Sequence, residues 1–106
     1  MKLTVVIPVY NGADFIKKSY DSIMNQNIDD FEIIYVNNNS SDDSVERINQ
    51  LVQSDIRLKL IHQYKQGTSA ARNMGIAHAK GDYVYVFDVD DEIYPNALHK
   101  MIRVLD

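Results

Sequence analysis

The chain has 106 residues, 45% of them hydrophobic, and a formal net charge of −4. These values are typical of one small globular domain, and the acidic balance argues against a nucleic-acid partner. The absence of cysteine excludes disulfides and thiolate metal sites, and no apolar run approaches the roughly 20 residues of a membrane span.

Hydrophobic periodicity predicts alternating strands and helices. In chain order these are a strand over 3–9, a helix over 14–26, a strand over 31–36, a helix after cap candidates at 40–43, a strand over 58–61, a helix over 68–79, a strand over 83–87 and a last helix from Pro95. Gly81 is expected to end the third helix, and Gly67 and Gly75 to permit close packing. The alternation predicts one α/β domain over 1–106, with a mostly parallel sheet of about four strands covered on both faces.

Polar and turn-forming residues gather after each predicted strand. They are Tyr10, Asn11 and Gly12 after the first, the amide- and hydroxyl-rich segment 37–41 after the second, segment 62–67 after the third, and the acidic segment 88–91 after the fourth. Because ligands bind at the carboxyl ends of strands in open parallel sheets, these segments predict one site on one edge. Segment 37–41 suits hydrogen bonds to a base or ribose, and it suits turn formation equally well.

The acidic segment suggests a divalent cation. Asp88, Asp90 and Asp91 directly follow an apolar strand. Carboxylates this close repel one another unless a cation lies between them, and Mg²⁺ or Mn²⁺ prefers such oxygen ligands. The alternative interpretation is a solvated acidic turn. Arg72, on a helix of small residues, suits either a phosphate or an ion pair with one of these aspartates.

Four ordered motifs resemble the nucleotide-binding half of glycosyltransferase family 2, whose members have the GT-A fold. The motifs are Ile7-Pro8-Val9-Tyr10-Asn11, the strand that ends in Asn37-Asn38-Asn39-Ser40-Ser41-Asp42, the segment Gly67-Thr68-Ser69-Ala70-Ala71-Arg72-Asn73-Met74-Gly75, and the strand that ends in the Asp-x-Asp motif Asp88-Val89-Asp90. The resemblance covers essentially the whole chain. It implies a Rossmann-like, three-layer α/β/α domain from an enzyme of polysaccharide biosynthesis.

The resemblance also implies roles for individual residues. Those implied to bind a nucleotide-diphospho-sugar, expected to be UDP-linked, are Pro8, Val9, Tyr10, Asn11, Asn37, Asn39, Arg72, Asp88 and Val89, and those implied to hold Mn²⁺ or Mg²⁺ are Asp90 and Asp88. The chain departs from the family at Asn37-Asn38-Asn39, where Asp-Asp-Gly is usual. An asparagine at position 37 keeps an acceptor for a uracil N–H but loses the charge, so a different base becomes more plausible.

The implied reaction is an inverting sugar transfer to the hydroxyl of a sugar or lipid-linked acceptor that the sequence does not identify. Family members carry a second half with the acceptor site and the general base. We therefore expect this chain to be cut after its donor domain, to bind donor only and to be inactive alone. We also expect a cytoplasmic location, with the full-length protein at the inner face of the membrane, and an open sheet edge at 83–87 that allows self-association.

Two other functions remain open from the sequence. A nucleotidyltransferase would also combine a parallel sheet with metal-binding acids, but it would need a glycine-rich, basic loop after the first strand. The loop Tyr10-Asn11-Gly12-Ala13-Asp14 is not of that kind. A non-catalytic module that binds a sugar nucleotide would carry the same donor residues and would differ only in turnover.

Overall fold

A computed structural model of the protein describes residues 1–90. The elements are β1 (Leu3–Val9), α1 (Ala13–Met24), β2 (Phe31–Asn37), α2 (Ser44–Ser54), β3 (Leu58–His62), α3 (Thr68–His78) and β4 (Tyr83–Val86). Each predicted strand and helix over this range is present, with ends shifted by up to two residues. The helix predicted from Pro95 lies outside the described residues. No helix within 1–90 is long and apolar enough to cross a membrane.

The four strands form one sheet in the order β3-β2-β1-β4, and every pair is parallel. The predicted parallel sheet of about four strands is confirmed. Strand β1 is central and is joined to β2 through α1, whereas β4 joins it on the other side after the chain has passed through β3 and α3. The direction of strand addition therefore reverses beside β1.

One face of the sheet is covered by α1 and α2. The residues of this main core include Leu3, Val5, Ile7 and Val9 of β1, Ile33 and Tyr35 of β2, Ile16 and Ile23 of α1, and Ile48 of α2. The odd-numbered positions of β1 and β2 point to this side because side chains alternate along a strand. The Tyr35 hydroxyl, which hydrogen-bonds Ser19 at 2.9 Å, is desolvated by burial, and this raises the pKa of Tyr35 to about 12.

Helix α3 covers the opposite face and completes the predicted three layers. Val6, Ile34, Val36 and Ala71 form the buried cluster on this side. Gly75 lets the helix approach closely, since a Cβ at this position would lie 2.3 Å from Cγ1 of Val6. The expectation of tight packing at Gly75 is confirmed. Gly67 differs, because nothing lies within 4 Å of a Cβ there and its φ of +132° is the feature that favours glycine.

The expectation for Gly81 was wrong. Helix α3 ends at His78, the next residue is extended, and Gly67 is the one glycine of positive φ within 1–90. Gly81 is instead required by close approach to β1, because a Cβ there would lie 2.5 Å from the backbone N of Thr4. Its N–H donates to Thr4 Oγ1 at 2.9 Å, and Thr4 Oγ1 donates to Glu32 Oε2 at 2.7 Å.

Glu32 is a buried carboxylate at the amino end of β2, away from the polar strand ends. Its Oε2 also accepts from the Lys80 N–H at 2.8 Å, and Lys59 Nζ lies 3.1 Å from Oε1. Burial alone would raise the pKa of Glu32, but the hydrogen bonds from Lys80, Thr4 and Lys59 outweigh it and lower the pKa overall. Glu32 therefore joins β1, β2, β3 and the segment before β4 at this end of the sheet.

Candidate functional site

The polar strand ends meet at the point where strand addition reverses. In an open parallel sheet this reversal leaves a crevice beyond the carboxyl ends of the two strands concerned, here β1 and β4. A cleft of about 390 Å³ lies there. It is lined by Pro8, Val9, Tyr10, Asn11, Gly12, Phe15, Asn38, Thr68, Ala71, Arg72, Asp88, Val89 and Asp90. The structure thus brings together eight of the ten predicted site residues, and Asn37 and Asn39 are not among those that line the cleft.

The loop after β1 forms one wall of the cleft. Tyr10 presents an aromatic ring to solvent, with 59% of its surface exposed. Asn11 has a positive φ of 49°, and its side-chain Oδ1 accepts hydrogen bonds from the N–H groups of Ser41 at 2.8 Å and Asp42 at 3.3 Å. Its own N–H donates to Ser40 Oγ at 3.0 Å. Asn11 therefore fixes this loop against the segment that leads into α2.

Asp42 continues the connection between the two loops. Its carboxylate accepts from the N–H and Oγ of Ser44 and from the N–H of Ala13, at 3.0, 2.6 and 3.1 Å. Desolvation raises the pKa of Asp42, but these hydrogen bonds are together stronger and lower it. Ser44 Oγ in turn accepts from the Gly12 N–H at 3.0 Å. The first residues of α1 and α2 are thus held together below the cleft wall, and the wall is preorganised by protein contacts.

The asparagine run after β2 divides between two sides of the sheet. Asn37 ends the strand and shares the odd-numbered side of β2. Its Oδ1 accepts from the Ser40 N–H at 3.1 Å, so its amide nitrogen faces His62 Nδ1 at 3.2 Å. Asn39 has a φ of 63° and donates to Tyr64 O and to Gln66 Oε1, both at 3.0 Å. Both side chains are engaged with other residues outside the cleft lining.

Asn38 is the member of the run that reaches the cleft. It is 3% exposed. As an even-numbered residue, it follows Ile34 and Val36, whose side chains face α3. The sequence resemblance pointed to Asn37 and Asn39 and not to Asn38. The alternation of β2 separates Asn38 from Asn37 in the sequence, but only the structure shows that the even-numbered side is the one that faces α3 and Arg72.

Arg72 is the one cationic side chain that lines the cleft in the part of the chain that the structure describes. It projects from the second turn of α3, together with Thr68 and Ala71 from the first. Its guanidinium makes no ion pair of 4.0 Å or less with any other residue in 1–90. Of the two alternatives for Arg72, an ion pair with Asp88 or Asp90 is therefore not formed, and Asp91 lies outside the described residues.

Asp88 and Asp90 lie on the opposite wall, just beyond β4. Both are exposed, and neither accepts a hydrogen bond from residues 1–90. Val89 between them packs against the β1 loop, since a Cβ on Gly12 would lie 2.8 Å from Val89 Cγ1. Residues 1–90 contain no cluster of three or more His, Cys, Asp or Glu side chains able to hold a metal ion, and Asp91 lies beyond them.

The fold and the cleft define a Rossmann-like α/β domain with a polar cleft at its topological switch point. The sequence matches the family described as Glycosyl transferase family 2 over residues 4–106, and the chain belongs to that family. The GT-A fold expected from the resemblance is confirmed by solved structures. The crystal structure of S. aureus TarS 1-349 in complex with UDP-GlcNAc is similar with a TM-score of 0.90 and 25% identity, over 100% of this chain and 31% of that one.

Curated relatives are named as glycosyltransferases. The chain is 42% identical over 103 residues to the uncharacterized glycosyltransferase YibD of Escherichia coli, covering 97% of this chain and 30% of the relative. It is 38% identical over 104 residues to the GalNAc(5)-diNAcBac-PP-undecaprenol beta-1,3-glucosyltransferase of Campylobacter jejuni, covering 96% and 34%. The chain therefore spans about a third of the length of these relatives.

Proposed function

We propose that this chain is the donor-binding part of a glycosyltransferase that moves a sugar from a nucleotide-diphospho-sugar, UDP-linked, to an acceptor hydroxyl with inversion. The observation that carries the proposal is the switch-point cleft, with Arg72 on one wall and Asp88 and Asp90 on the other, none of them in an ion pair with residues 1–90. Membership of glycosyl transferase family 2 supports the reaction class. The UDP-GlcNAc complex of TarS supports a uridine donor.

The base subsite in this proposal is the wall formed by Pro8, Val9 and Tyr10. The exposed Tyr10 ring offers a face on which a planar base stacks. Asn11 contributes by holding this wall, because its side chain is engaged with segment 41–42. Asn37 and Asn39 contribute indirectly, through the loop after β3 that they contact. The negative diphosphate then lies towards Arg72, which attracts it by charge and by planar N–H donors.

The aspartates suit a divalent metal. Carboxylate oxygens are the ligands that Mn²⁺ and Mg²⁺ prefer, and those of Asp88 and Asp90 make no hydrogen bond or ion pair with residues 1–90. A bound metal would supply charge neutralisation to the departing diphosphate. Asp90, with Asp88, would hold it, and Asp88 and Val89 would also contact the ribose or sugar. Arg72 balances part of the same negative charge from the other wall.

The acceptor and the general base belong to the proposed whole protein. We propose that the chain alone binds donor and transfers sugar slowly or not at all, because a base that deprotonates an acceptor hydroxyl is required and its relatives are about three times longer. The undecaprenol-linked acceptor named for the Campylobacter relative supports a lipid-linked acceptor, and with it a place at the inner face of a membrane.

We also propose self-association through β4. This strand is an edge of the sheet formed by residues 1–90, and Val84 on it is 41% exposed. An apolar edge strand without lysine or proline offers unpaired N–H and C=O groups to another chain.

A thermal-shift screen with UDP, GDP and ADP, each with and without Mn²⁺, tests the donor proposal. We expect UDP with Mn²⁺ to stabilise the chain most. At a ligand concentration of 100 times the dissociation constant the gain in unfolding free energy is about 2.7 kcal/mol. A larger gain with GDP would overturn the base assignment, and no change with any nucleotide would overturn donor binding itself. Turnover of UDP-sugar measured in parallel distinguishes an enzyme from a binding module.

A further inference from the structure

Asn38 uses the whole hydrogen-bonding capacity of its side-chain amide within the protein. Nδ2 donates to the backbone carbonyls of Gln63 at 2.8 Å and Lys65 at 2.9 Å. Oδ1 accepts from the Gly67 N–H at 2.9 Å and from Gln66 Nε2 at 3.3 Å. An amide has two N–H donors and two acceptor lone pairs, so none remains for a ligand.

These four partners also fix the orientation of the amide. If it were flipped, Oδ1 would face two carbonyl oxygens and Nδ2 would face two N–H donors. The Asn38 backbone N–H donates to Val9 O at 2.8 Å, so the same residue is joined to the end of β1. Asn38 therefore connects the β1 wall of the cleft to the loop 63–67 that precedes α3.

Loop 63–67 determines where α3 begins. The carbonyl of Gly67 accepts the first helical bond, from the Ala71 N–H at 3.2 Å, and the N–H of Gly67 is the one that Asn38 binds. Thr68, Ala71 and Arg72 then reach the cleft from the first two turns of the helix. Because Arg72 follows Gly67 by five residues of rigid helix, a displacement of the loop would carry the guanidinium away from the opposite wall.

We propose that Asn38 is a positioning residue of the donor cleft, which sets the distance between the Arg72 guanidinium and the Asp88–Asp90 wall by holding the first turn of α3 against β1. This inference rests on the proposed function, and it assigns Asn38 an effect on nucleotide affinity without contact to the base. It also explains why an amide suits this chain, since an aspartate would offer no donor to the carbonyls of Gln63 and Lys65.

The test is the dissociation constant of UDP with Mn²⁺ for the full 106-residue chain and its Asn38→Ala variant, measured where thermal melting shows both fully folded. We expect Asn38→Ala to weaken UDP binding by about tenfold or more, a difference of about 1.4 kcal/mol. The control is Ile48→Val, a change in the core under α2 that lowers the melting temperature without touching the cleft. A merely structural role would leave the affinity of folded Asn38→Ala equal to that of this control.

A double-mutant cycle with Arg72→Ala separates positioning from direct contact with the ligand. If Asn38 acts through Arg72, Asn38→Ala should raise the dissociation constant of UDP by less than about threefold when Arg72 is already alanine. An undiminished tenfold loss there would overturn the proposal. Gly67→Ala supplies a second variant if Asn38→Ala does not fold. It strains the backbone at the start of α3, because Gly67 has a φ of +132°, and it introduces no steric clash. Gly67→Ala should also weaken UDP binding, and an unchanged affinity would count against the proposal. Failure of the parent chain to bind UDP would instead refute the proposed function.

Discussion

Asp90 lies exposed on the cleft wall and accepts no hydrogen bond from residues 1–90, so its negative charge is uncompensated by the described protein. Asp90→Asn is expected to remove the part of UDP stabilisation that depends on Mn²⁺. The apo melting temperature should stay the same or rise, since one like-charge repulsion disappears. Melting curves with and without Mn²⁺ measure both effects. Asp82→Asn, an exposed aspartate before β4, is the matched control and should leave both unchanged.

A strongly destabilised apo Asp90→Asn variant would contradict this account, because Asp90 would then hold the fold together.

The sequence placed Asp88, Asp90 and Arg72 at one edge of the sheet, and in the structure all three line one cleft. Their roles in binding stay a prediction. The sequence could not assign the asparagine run, because the choice between Asn37 and Asn38 depends on which helix covers which face of the sheet. The backbone conformation at Asn39 explains its residue type. The position is usually glycine in the family, and its φ of 63° lies in the left-handed region, which asparagine tolerates.

Among the elements, α3 depends on the absence of a side chain at Gly75. Gly75→Ala would place a methyl group 2.3 Å from Cγ1 of Val6, which β1 holds rigidly in the sheet. We expect a loss of about 1–3 kcal/mol in unfolding free energy, measured by urea denaturation. Adding Val6→Ala should restore part of that loss by making room for the new methyl group. If the double variant is no more stable than the sum of both single losses predicts, the contact with Val6 is not the cause.

The turn between α2 and β3 is held by an ion pair between the buried Asp55 and the partly exposed Arg57. Asp55 accepts from Arg57 Nε at 2.9 Å, from Arg57 Nη2 at 2.7 Å and from the Tyr20 hydroxyl at 2.8 Å. The Arg57 hydrogen bonds lower the pKa of Asp55 far below its ordinary value, against desolvation, which raises it. Asp55→Asn is expected to cost about 2 kcal/mol, because Arg57 is partly exposed and the pair is partly screened.

The lowered pKa of Asp55 also predicts how the stability of the fold changes with pH. A carboxyl whose pKa is lower in the folded state stabilises the fold above its unfolded pKa, about 3.9 for aspartate. That contribution is lost as the pH falls from about 5 towards the folded pKa. Urea unfolding at pH 7 and pH 4 should therefore show a smaller difference between Asp55→Asn and the parent at pH 4. An equal difference at both pH values would contradict the assigned cause.

For the molecule as a whole, the sequence predicted parallel strands and helices on both faces, because periodicity and burial are local properties. The order β3-β2-β1-β4 was not predictable in the same way, since strand order depends on which helices pack on which face. Gly81 shows the same limit. Its sequence position is typical of a helix cap, and its real constraint is the β1 backbone 77 residues earlier at Thr4.

The edge strand β4 gives a prediction for association. The parent chain should form dimers or larger species at high concentration, measured by sedimentation velocity, and Val84→Lys should reduce them because a charge on an edge opposes pairing. Ile56→Lys is the control, since Ile56 is 98% exposed at the turn before β3, away from β4. A parent chain that stays monomeric, or association that Val84→Lys leaves unchanged, would contradict this prediction.

We propose above that this chain binds a nucleotide diphosphate in the switch-point cleft with the help of a divalent metal. Isothermal titration of UDP into the 106-residue chain, with Mn²⁺ and then with EDTA, measures that binding and its dependence on the metal. We expect saturable binding of one UDP per chain in Mn²⁺ and binding at least about tenfold weaker, by about 1.4 kcal/mol, in EDTA. Heat that does not saturate in Mn²⁺, or equal affinity in both conditions, would contradict it.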